Sequence, residues 1–311
     1  MSILAEDINT LEEDAALDEP LRRVAYEAGM MLGLEATRDE QAYHRKCLNR
    51  HQYWLHGSGT LAGMVVALDP ASSAGPDPVL TRITVSPGIG IDGLGREVLI
   101  NESYCIDLGD WLKTQTELQL REGYDEAENL LWLKVTVRYQ ACAVAAQPVL
   151  ARKLNLSTDA VQPSRNVDSI VLELATELPP AEDDRYRPWP VHDPVEDALP
   201  AALTPAEQDT LTEAGAHDPD AGRQLQLQLH ARLLYALQEQ GVSARVAADE
   251  LEEGARLLLA RLAIQITDLN TILDAGENDQ VVNPNAISVN NLVRPFLVTA
   301  SQLAYLQRSS G

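Results

Sequence analysis

A cluster of prolines divides the sequence and sets the strongest limit on how the chain can fold. Seven prolines lie between residues 179 and 205, with the acidic run Glu182-Asp183-Asp184 among them. Proline has no backbone N–H and biases the residue before it away from helix, so neither a helix nor a central strand fits this stretch. We expect an extended linker or a meandering surface loop here, with mixed patterns before it and mostly helical patterns after it.

The patterns before the linker predict one helix and several strands. Thr37-Arg38-Asp39-Glu40 has the form of a capping box with Thr37 as the N-cap, and the helix that it opens is expected to end just before Gly57. From Leu130 onward apolar and polar residues alternate, which predicts a strand with one buried face. Shorter strands are expected over residues 82–86 and 169–174, so the helix would lie on a mostly antiparallel sheet.

Glycines mark a tight turn between two further strands. Residues 89–92 are expected to pair with residues 96–100 across the short loop Gly93-Leu94-Gly95. Because no helix follows this loop, its amides have no helix dipole behind them, and a phosphate-binding role is not favoured. Four glycines are instead interpreted as structural turns that allow positive φ or close backbone approach: Gly57, Gly88, Gly93 and Gly95.

The patterns after the linker predict helices. Residues 222–240 are expected to form one helix and residues 243–272 a second, with Gly241 at the turn. The second helix would carry an apolar seam at helical spacing, formed by Leu251, Leu258, Leu262, Leu269 and Ile272. Two interpretations stay open for this seam: it packs as a helical hairpin on its own domain, or it is an assembly surface for another subunit.

Together these patterns predict an α+β fold in four parts. An acidic leader (residues 1–24) precedes an α+β domain (25–180), in which a capped helix lies on a mostly antiparallel sheet. A proline-rich linker (181–205) then leads to a mainly helical C-terminal part (206–311). With 311 residues, of which 45% are hydrophobic, the chain has the length for two domains and the composition for a sizeable core.

The charge of the chain disfavours some classes of partner. With 24 Lys and Arg against 47 Asp and Glu, the formal net charge is −23. Such a chain repels phosphate backbones and anionic membrane surfaces, so we expect no nucleic-acid binding. No basic residue precedes Arg22, and no apolar run approaches the roughly 18 residues that span a bilayer, so we expect cytoplasmic synthesis without membrane insertion.

One group of metal-ligand residue types lies on the predicted helix. His44, Cys47 and His51 fall within about 60° of one another around the helix axis, but His44 and His51 are about 10.5 Å apart along it. Zinc–ligand bonds are only about 2.0–2.3 Å long, so one ion cannot hold all three side chains. Leu48 and Leu55 share this face, which is therefore expected to be buried. We expect no bound metal.

Catalytic motifs are not evident in the sequence. There is no GxSxG nucleophile turn and no HExxH zinc motif. Adjacent carboxylates such as Asp125 with Glu126, or Asp183 with Asp184, could in principle perform acid–base chemistry. In a chain this acidic, such pairs are expected on solvated loops by abundance alone. We therefore expect no catalytic residues and no cofactor.

Three segments of the first half carry a resemblance to a known group of proteins. They are YEAGMMLGL with YHRKCLNRHQYWLHGSGTLAG (within residues 26–63), ITVSPGIGIDGLGREVLI (83–100), and LWLKVTVRYQAC with VDSIVLELATELP (131–142 and 167–179). In this order they resemble a family of proteins encoded beside the genes of phage-tail-like contractile injection systems, near the baseplate components. Several members carry a cysteine-rich stretch after the third segment, where this chain has only Cys142.

The resemblance implies a non-enzymatic structural or adaptor component of a contractile injection particle. Its partners would be other particle proteins or further copies of itself, and the chain would be incorporated into the particle after cytoplasmic synthesis. The alternative is a hydrolase or carbohydrate-binding accessory module carried by the same particle. A deep cleft where titratable side chains converge with shifted pKa values would favour this alternative, and flat, extended surfaces would favour the structural role.

Overall fold

The fold is built mainly from antiparallel sheets. The computed structural model describes residues 11, 20–69, 81–148, 161–179, 204–236, 251–266, 269, 286–299 and 302. The helices are α1 (Leu34–His56), α2 (Leu108–Lys113), α3 (Glu117–Glu122), α4 (Pro205–His217), α5 (Pro219–Ala236) and α6 (Leu251–Gly254). The strands are β1 (Gly59–Gly63), β2 (Val66–Leu68), β3 (Arg82–Val85), β4 (Gly88–Ile91), β5 (Glu97–Ile100), β6 (Tyr104–Asp107), β7 (Tyr124–Asp125), β8 (Leu130–Pro148), β9 (Val161–Thr176), β10 (Arg256–Gln265) and β11 (Ile287–Asn290).

A five-stranded antiparallel sheet lies at the centre of the fold. Its order is β11-β10-β8-β7, and β9 pairs with β8 on the side opposite β10. The strand predicted from alternation is confirmed as the first half of β8, where the side chains of Leu131, Leu133, Val135 and Val137 are fully buried. This face packs into one continuous core with the two smaller sheets.

The C-terminal part is not mainly helical, so the predicted fold class is wrong. Residues expected in a second long helix instead form β10, which lies between β8 and β11. The run RLLLARLAIQ is apolar at most positions, and most of its side chains are buried. A continuous apolar run suits a central strand covered on both faces as well as it suits a helix. Here the two neighbouring strands satisfy its backbone groups.

The residues of the predicted seam therefore do not form one helical stripe. Leu262 is fully buried within β10, and Leu258 is half-buried there. Leu251 lies in α6 and is buried, as is Leu269. Ile272 lies outside the described residues. Leu251, Leu262 and Leu269 thus belong to the core of the chain.

Helices do occur after the proline-rich segment: α4, α5 and the four-residue α6 lie there among the described residues. Thr204 caps α4 through a capping box with Glu207. The two helices contact each other where the backbones at Gly222 and Gly215 approach closely. Residues 180–203, which contain most of the predicted linker, lie outside the described residues. Because β10 pairs with β8, residues from both sides of this segment share one sheet.

Two three-stranded antiparallel sheets complete the core. Their orders are β1-β4-β5 and β2-β3-β6. The predicted hairpin is confirmed, because β4 pairs with β5 from Gly88 opposite Ile100 to Ile91 opposite Glu97. Fully buried side chains from these sheets, such as Ile83, pack into the same core as β8 and β10.

The start of α1 differs from the prediction. The helix begins at Leu34, so Thr37 lies in its first turn and donates its hydroxyl to the Gly33 carbonyl (3.4 Å). Glu40 accepts a hydrogen bond from the Val24 amide (3.1 Å) instead of reaching back to an N-cap. The predicted capping box is therefore wrong, because the chain before α1 supplies the partner of Glu40.

The buried face of α1 also differs from the prediction. Leu48 and Leu55 are 54% and 63% exposed, whereas Asn49 and Tyr53 are 4% and 2% exposed. The helix therefore contacts the body of the chain through Asn49 and Tyr53 and directs its two leucines to solvent. The expectation of a buried leucine face is wrong, since the apolar stripe of a helix is not always the face that its own chain covers.

The segment after β11 binds the backbone where the sheet β1-β4-β5 connects to the sheet β2-β3-β6. Arg294 is buried and donates from Nη1 to the carbonyls of Gly63 (3.1 Å) and Met64 (2.7 Å). Both of those residues have positive φ, +65° and +55°. Asn291 pairs with both backbone groups of Val66 at 2.9 Å, as a neighbouring strand would. The C-terminal segment thus holds the connection between β1 and β2.

Candidate functional site

A buried ion pair organises the turn between β4 and β5. Asp92 Oδ2 accepts from Arg96 Nε (2.7 Å), and Asp92 Oδ1 accepts from the backbone amides of Leu94 (2.9 Å) and Arg96 (2.8 Å). We call residues 92–96 the Asp92 turn. Both charged side chains are almost fully excluded from solvent. Three donors compensate the carboxylate, which is the condition under which a buried charge is tolerated.

The Asp92 turn contacts several elements at once. Gly93 donates its amide to the Gly254 carbonyl at the end of α6 (2.8 Å). Gly95 has φ +77°, and a Cβ there would lie 2.2 Å from the Asn49 carbonyl of α1. Leu94 is fully buried between Leu251 and Ala255, with Leu11 packed against this cluster. The turn therefore joins α1, α6 and the hairpin.

Glycine is needed at the four predicted turn positions for different structural reasons. Gly57 has φ +73°, and its amide donates to the Tyr53 carbonyl (3.1 Å), which ends α1. Gly88 lies in β4, where a Cβ would lie 2.3 Å from the Met64 amide nitrogen, so close backbone approach requires glycine there. At Gly93 and Gly95 the backbones of α6 and α1, respectively, lie too close to leave room for a Cβ.

A series of side-chain contacts connects the Asp92 turn to the far part of β8. The guanidinium of Arg96 lies over the Tyr139 ring, 5.3 Å from its centroid. The Tyr139 hydroxyl donates to Asp168 Oδ1 on β9 (2.7 Å). Tyr139 is paired with Ile170 at the point where β8 and β9 leave the rest of the sheet. These contacts hold Tyr139 and Asp168 in place where the two strands leave the sheet.

Beyond Tyr139, β8 and β9 continue together as a two-stranded ribbon. Among the described residues, β10 pairs with β8 only as far as Arg138, whereas β9 pairs with it as far as Pro148. We call residues 141–148 and 161–168 the arm. Eight residues of strand extend about 26 Å. Nearly all arm residues are exposed, which is unusual for paired strands because a lone two-stranded ribbon is marginally stable.

The arm is small and nearly uncharged. Arg165 and Asp168 are its only charged residues, in a chain of net charge −23. Pairing places Cys142 opposite Val167 and Val144 opposite Arg165 on one face, and it places Ala141 opposite Asp168 and Ala143 opposite Asn166 on the other. Val144 and Val167 remain 38% and 51% exposed. Both valines thus leave apolar area uncovered on a ribbon that has no third strand among the described residues.

The arm also carries features that restrain uncontrolled strand pairing. Ala145 has φ +57°, and its carbonyl accepts from the Ser164 hydroxyl (2.7 Å). Pro163 of β9 is paired with Ala146 of β8 and has no N–H to donate to a neighbouring strand. A kink and an edge proline are known protections of exposed strand edges, so the arm is suited to a defined contact.

An open cavity of about 620 Å³ lies against the part of β8 and β9 that belongs to the five-stranded sheet. Part of its lining is a network of ion pairs. Glu173 accepts from Arg138 Nε (3.0 Å) and from Arg256 Nε (2.9 Å), so this carboxylate links β8, β9 and β10. Lys134 binds Glu253 (3.0 Å) and also Glu177. The cavity is lined further by Ile106, Trp111 and Leu172.

The network sets the pKa values of its members. Burial alone would raise the pKa of Glu173, but hydrogen bonds and charge from Arg256 and Arg138 outweigh it and lower the pKa. Burial would lower the pKa of Lys134, but Glu177 and Glu253 outweigh it and raise the pKa. These shifts keep the groups charged near neutral pH. That is the behaviour of a structural network rather than of a carboxylic acid held protonated for catalysis.

The other side chains weighed for chemistry are dispersed. His44 and His51 are exposed on α1, and Cys47 is half-buried there. Within the described residues, no group of three or more His, Cys, Asp or Glu side chains could hold a metal ion. Asp125 accepts from the backbone amide of Ala127 (2.9 Å), a turn contact. Asp183 and Asp184 lie outside the described residues.

Neither the arm nor the ion network is among the features predicted from the sequence. The alternation that begins at Leu130 ends near Tyr139, but the small residues after it could have indicated a continuing, uncovered strand. The network could not be found, because Glu173 and Arg256 are 83 residues apart in the chain. No described helix combines the length and apolar character needed to cross a membrane.

Comparison with known proteins gives little further identification. No protein-family model and no curated protein sequence matches the chain. Among solved structures, a chain of the type VI secretion system TssK-TssF-TssG baseplate subcomplex, determined by cryo-electron microscopy, aligns over 76% of this chain and 82% of its own length. The identity is 12% and the TM-score 0.27, so the likeness is weak and does not establish a shared fold.

Proposed function

We propose that this chain is a non-enzymatic structural or adaptor component of a contractile, phage-tail-like particle. In this role it is made in the cytoplasm and binds other particle proteins through the arm. The observation that carries the proposal is the arm itself: two long strands continue past the sheet and leave Val144 and Val167 exposed. The three sequence segments that resemble a family encoded beside contractile injection genes supply the kind of particle.

The base of the arm supports a mechanical role. The Arg96–Tyr139–Asp168 contacts anchor it to the buried Asp92 turn, and Glu173 ties β9 to β8 and β10. A ribbon held rigidly at its base loses less conformational entropy when a partner covers it. The arm is therefore suited to docking, in which the partner supplies the burial that the ribbon lacks.

The ion pairs that line the cavity support the structural role over an enzymatic one. Glu173, Glu177 and Glu253 each form an ion pair with a lysine or arginine. A general acid would need a raised carboxyl pKa, whereas that of Glu173 is lowered. The hydrolase alternative has no comparable observation in its favour.

Side-chain substitutions on the two faces of the arm test this proposal. Val144→Ser with Val167→Ser removes the two exposed valines of one face, and Ala141→Ser with Ala143→Ser is the matched control on the opposite face. Tagged chains are expressed beside the particle genes, and assembled particles are purified by sedimentation. We expect the valine variant to be depleted from particles at least tenfold and the alanine variant to remain. Equal incorporation of both variants would show that this face does not dock.

A further inference from the structure

The arm leaves one edge of β8 unpaired. β10 covers this side of β8 only as far as Arg138, and no strand among the described residues continues beyond it. β8 itself continues as regular strand to Val144, and Ala145 then kinks the backbone with φ +57°. We call residues 140–144, on the side of β8 that faces away from β9, the open edge. Its outward N–H and C=O groups are a template for a further strand.

We propose that the open edge pairs with the open edge of a second copy of this chain, antiparallel and across a two-fold axis. The proposal rests on the proposed function, in which the arm is the docking surface, and it names the partner of one edge of the arm. The product is a four-stranded sheet of order β9-β8-β8-β9 that two copies share. A third and fourth strand stabilise a ribbon that is marginal on its own.

The two edges of the arm differ in composition. The open edge has the sequence Gln-Ala-Cys-Ala-Val, which contains neither a charged residue nor a proline. β9 carries Pro163, Arg165 and Asp168 in the arm, and these are residue types that protect a strand edge from pairing. The edge of β8 is therefore the one through which two arms join.

Two limits fix the register of this pairing. Two identical antiparallel strands related by a two-fold axis place one residue opposite its own copy. Centred on Cys142, residues 140–144 of each copy fill the open edge of the other. A centre one residue closer to the body would place Val144 of the second copy where β10 already pairs with Arg138. A centre one residue closer to the tip would bring the kink at Ala145 into the pairing.

The same limits favour a second copy over a strand of another protein. The open edge is short, because β10 bounds it at one end and the kink at Ala145 bounds it at the other. A longer straight strand would run into β10. The chain's own β8 has its regular part end at Val144, so its copy ends before it reaches β10.

The side chains that this register brings together are compatible. On one face Cys142 lies opposite its own copy, so a row Val167-Cys142-Cys142-Val167 crosses the four strands. On the other face Ala141 lies opposite Ala143 of the second copy. No two like charges lie opposite each other along the open edges, because these residues are uncharged. Pairing thus joins the small apolar areas of two arms into one.

The charge of the chain also favours the arm as the meeting point of two copies. Two chains of net charge −23 repel each other. In the proposed register the bodies lie at opposite ends of the shared sheet. The two Arg138 residues are then about 26 Å apart along the strands, whereas charges are screened over about 8–10 Å at physiological ionic strength. The open edges therefore meet while the acidic bodies stay apart.

Crosslinking through Cys142 tests the pairing in the purified full-length chain. Cys47→Ser with Cys105→Ser leaves Cys142 as the only thiol, and a short bis-maleimide then joins thiols of adjacent chains. Directly opposite side chains have Cβ atoms about 4.5–5.5 Å apart. We expect covalent dimers from this variant and none from a chain that carries only Cys142→Ser. Absence of dimers, or equal crosslinking without Cys142, would overturn the proposal.

Sedimentation velocity tests whether the edge of β8 carries the contact. Ala143→Glu places a carboxylate on the open edge, about 7–8 Å from its own copy. Asn166→Glu is the matched control, because Asn166 is paired with Ala143 on β9. The two copies of residue 166 are separated by three strand spacings, about 14 Å, at which distance charges are screened. We expect Ala143→Glu to weaken dimerisation at least tenfold and Asn166→Glu to leave it unchanged. Equal effects of the two substitutions would overturn the assignment to the open edge.

Salt dependence and particle incorporation complete the test. Added salt should strengthen the dimer, because no ion pair joins the open edges and the net charges of the two chains repel. A dimer that weakens with salt would contradict the pairing. A monomeric chain that still needs Val144 and Val167 for incorporation into particles would overturn the pairing and leave the proposed function standing. A dimer through Cys142 that is absent from particles would support the pairing and overturn the proposed function.

Discussion

Asp92 and Arg96 form an ion pair of 2.7 Å that is almost completely closed to solvent. The carboxylate of Asp92 also accepts two backbone amides of its own turn. The pair therefore shapes the β4–β5 turn, and Arg96 extends its influence to Tyr139 at the base of the arm. Asp92 and Arg96 are four residues apart in the sequence. Through Arg96 they connect the Asp92 turn to the arm, which is the surface that we propose for docking.

Asp92→Ala should be strongly destabilising, because it leaves the Arg96 charge buried without its carboxylate. Removing one partner of a buried ion pair costs about 3–5 kcal/mol. Asp110→Ala is the control, since its pair with Lys113 is solvent-exposed and should contribute at most about 1 kcal/mol. Urea unfolding measures both, and similar losses in the two variants would refute the role given to the buried pair.

Gly95→Ala should destabilise by about 1–3 kcal/mol, because alanine is strained at φ +77° and its Cβ would approach the Asn49 carbonyl at 2.2 Å. Gly215→Ala in α4 provides the contrast. A Cβ there meets nothing within 4 Å, and a helical position gains about 0.5–1 kcal/mol from alanine. Thermal unfolding of both variants should shift in opposite directions; a neutral Gly95→Ala would argue against the close packing of the turn on α1.

Arg294→Ala should destabilise by about 1–3 kcal/mol, because the carbonyls of Gly63 and Met64 lose their donor inside the fold. Arg223→Ala removes an exposed arginine that pairs with Asp220 on α5, and it should change stability by less than about 1 kcal/mol. The comparison is made by denaturant unfolding. If both substitutions are equally mild, the C-terminal segment does not hold the β1–β2 connection.

Glu173 should make stability depend on pH in the acid range. Its pKa is lowered in the folded chain, so its contribution is complete above the ordinary value of 4.5 and is lost as pH falls through the lowered value. Glu173→Gln should cost about 1–3 kcal/mol at neutral pH and reduce the acid sensitivity. Glu117→Gln, on an exposed pair with Arg121, serves as the control. A variant with the wild-type pH profile would contradict the ion network.

The sequence allowed prediction of those elements whose pattern has one structural solution. The alternation around Val135 fits only a strand with one buried face, and Gly95 lies in a hairpin loop between two short strands. In both cases neighbouring residues determine the conformation. Local spacing was therefore enough for β4, β5 and the first half of β8.

The remaining elements depend on contacts that spacing does not contain. The run around Leu262 suits a buried helix or a buried strand, and only its pairing with β8 and β11 decides between them. Leu48 and Leu55 have the spacing of a buried face, yet α1 packs through Asn49 and Tyr53. The ion pairs of Glu173 join strands far apart in the sequence. Tertiary contacts thus overrode each of these patterns.

Quantitative mass spectrometry of sedimented particles tests the central claim most directly. The variant replaces residues 141–168 with an Asn-Gly turn, which favours a tight hairpin between the paired Gln140 and Ser169. Unfolding in urea first establishes that its body keeps wild-type stability. The account predicts the wild-type chain in fixed stoichiometry with the particle proteins and the armless chain absent from particles. Absence of the wild-type chain, or full incorporation of a folded armless chain, would contradict it.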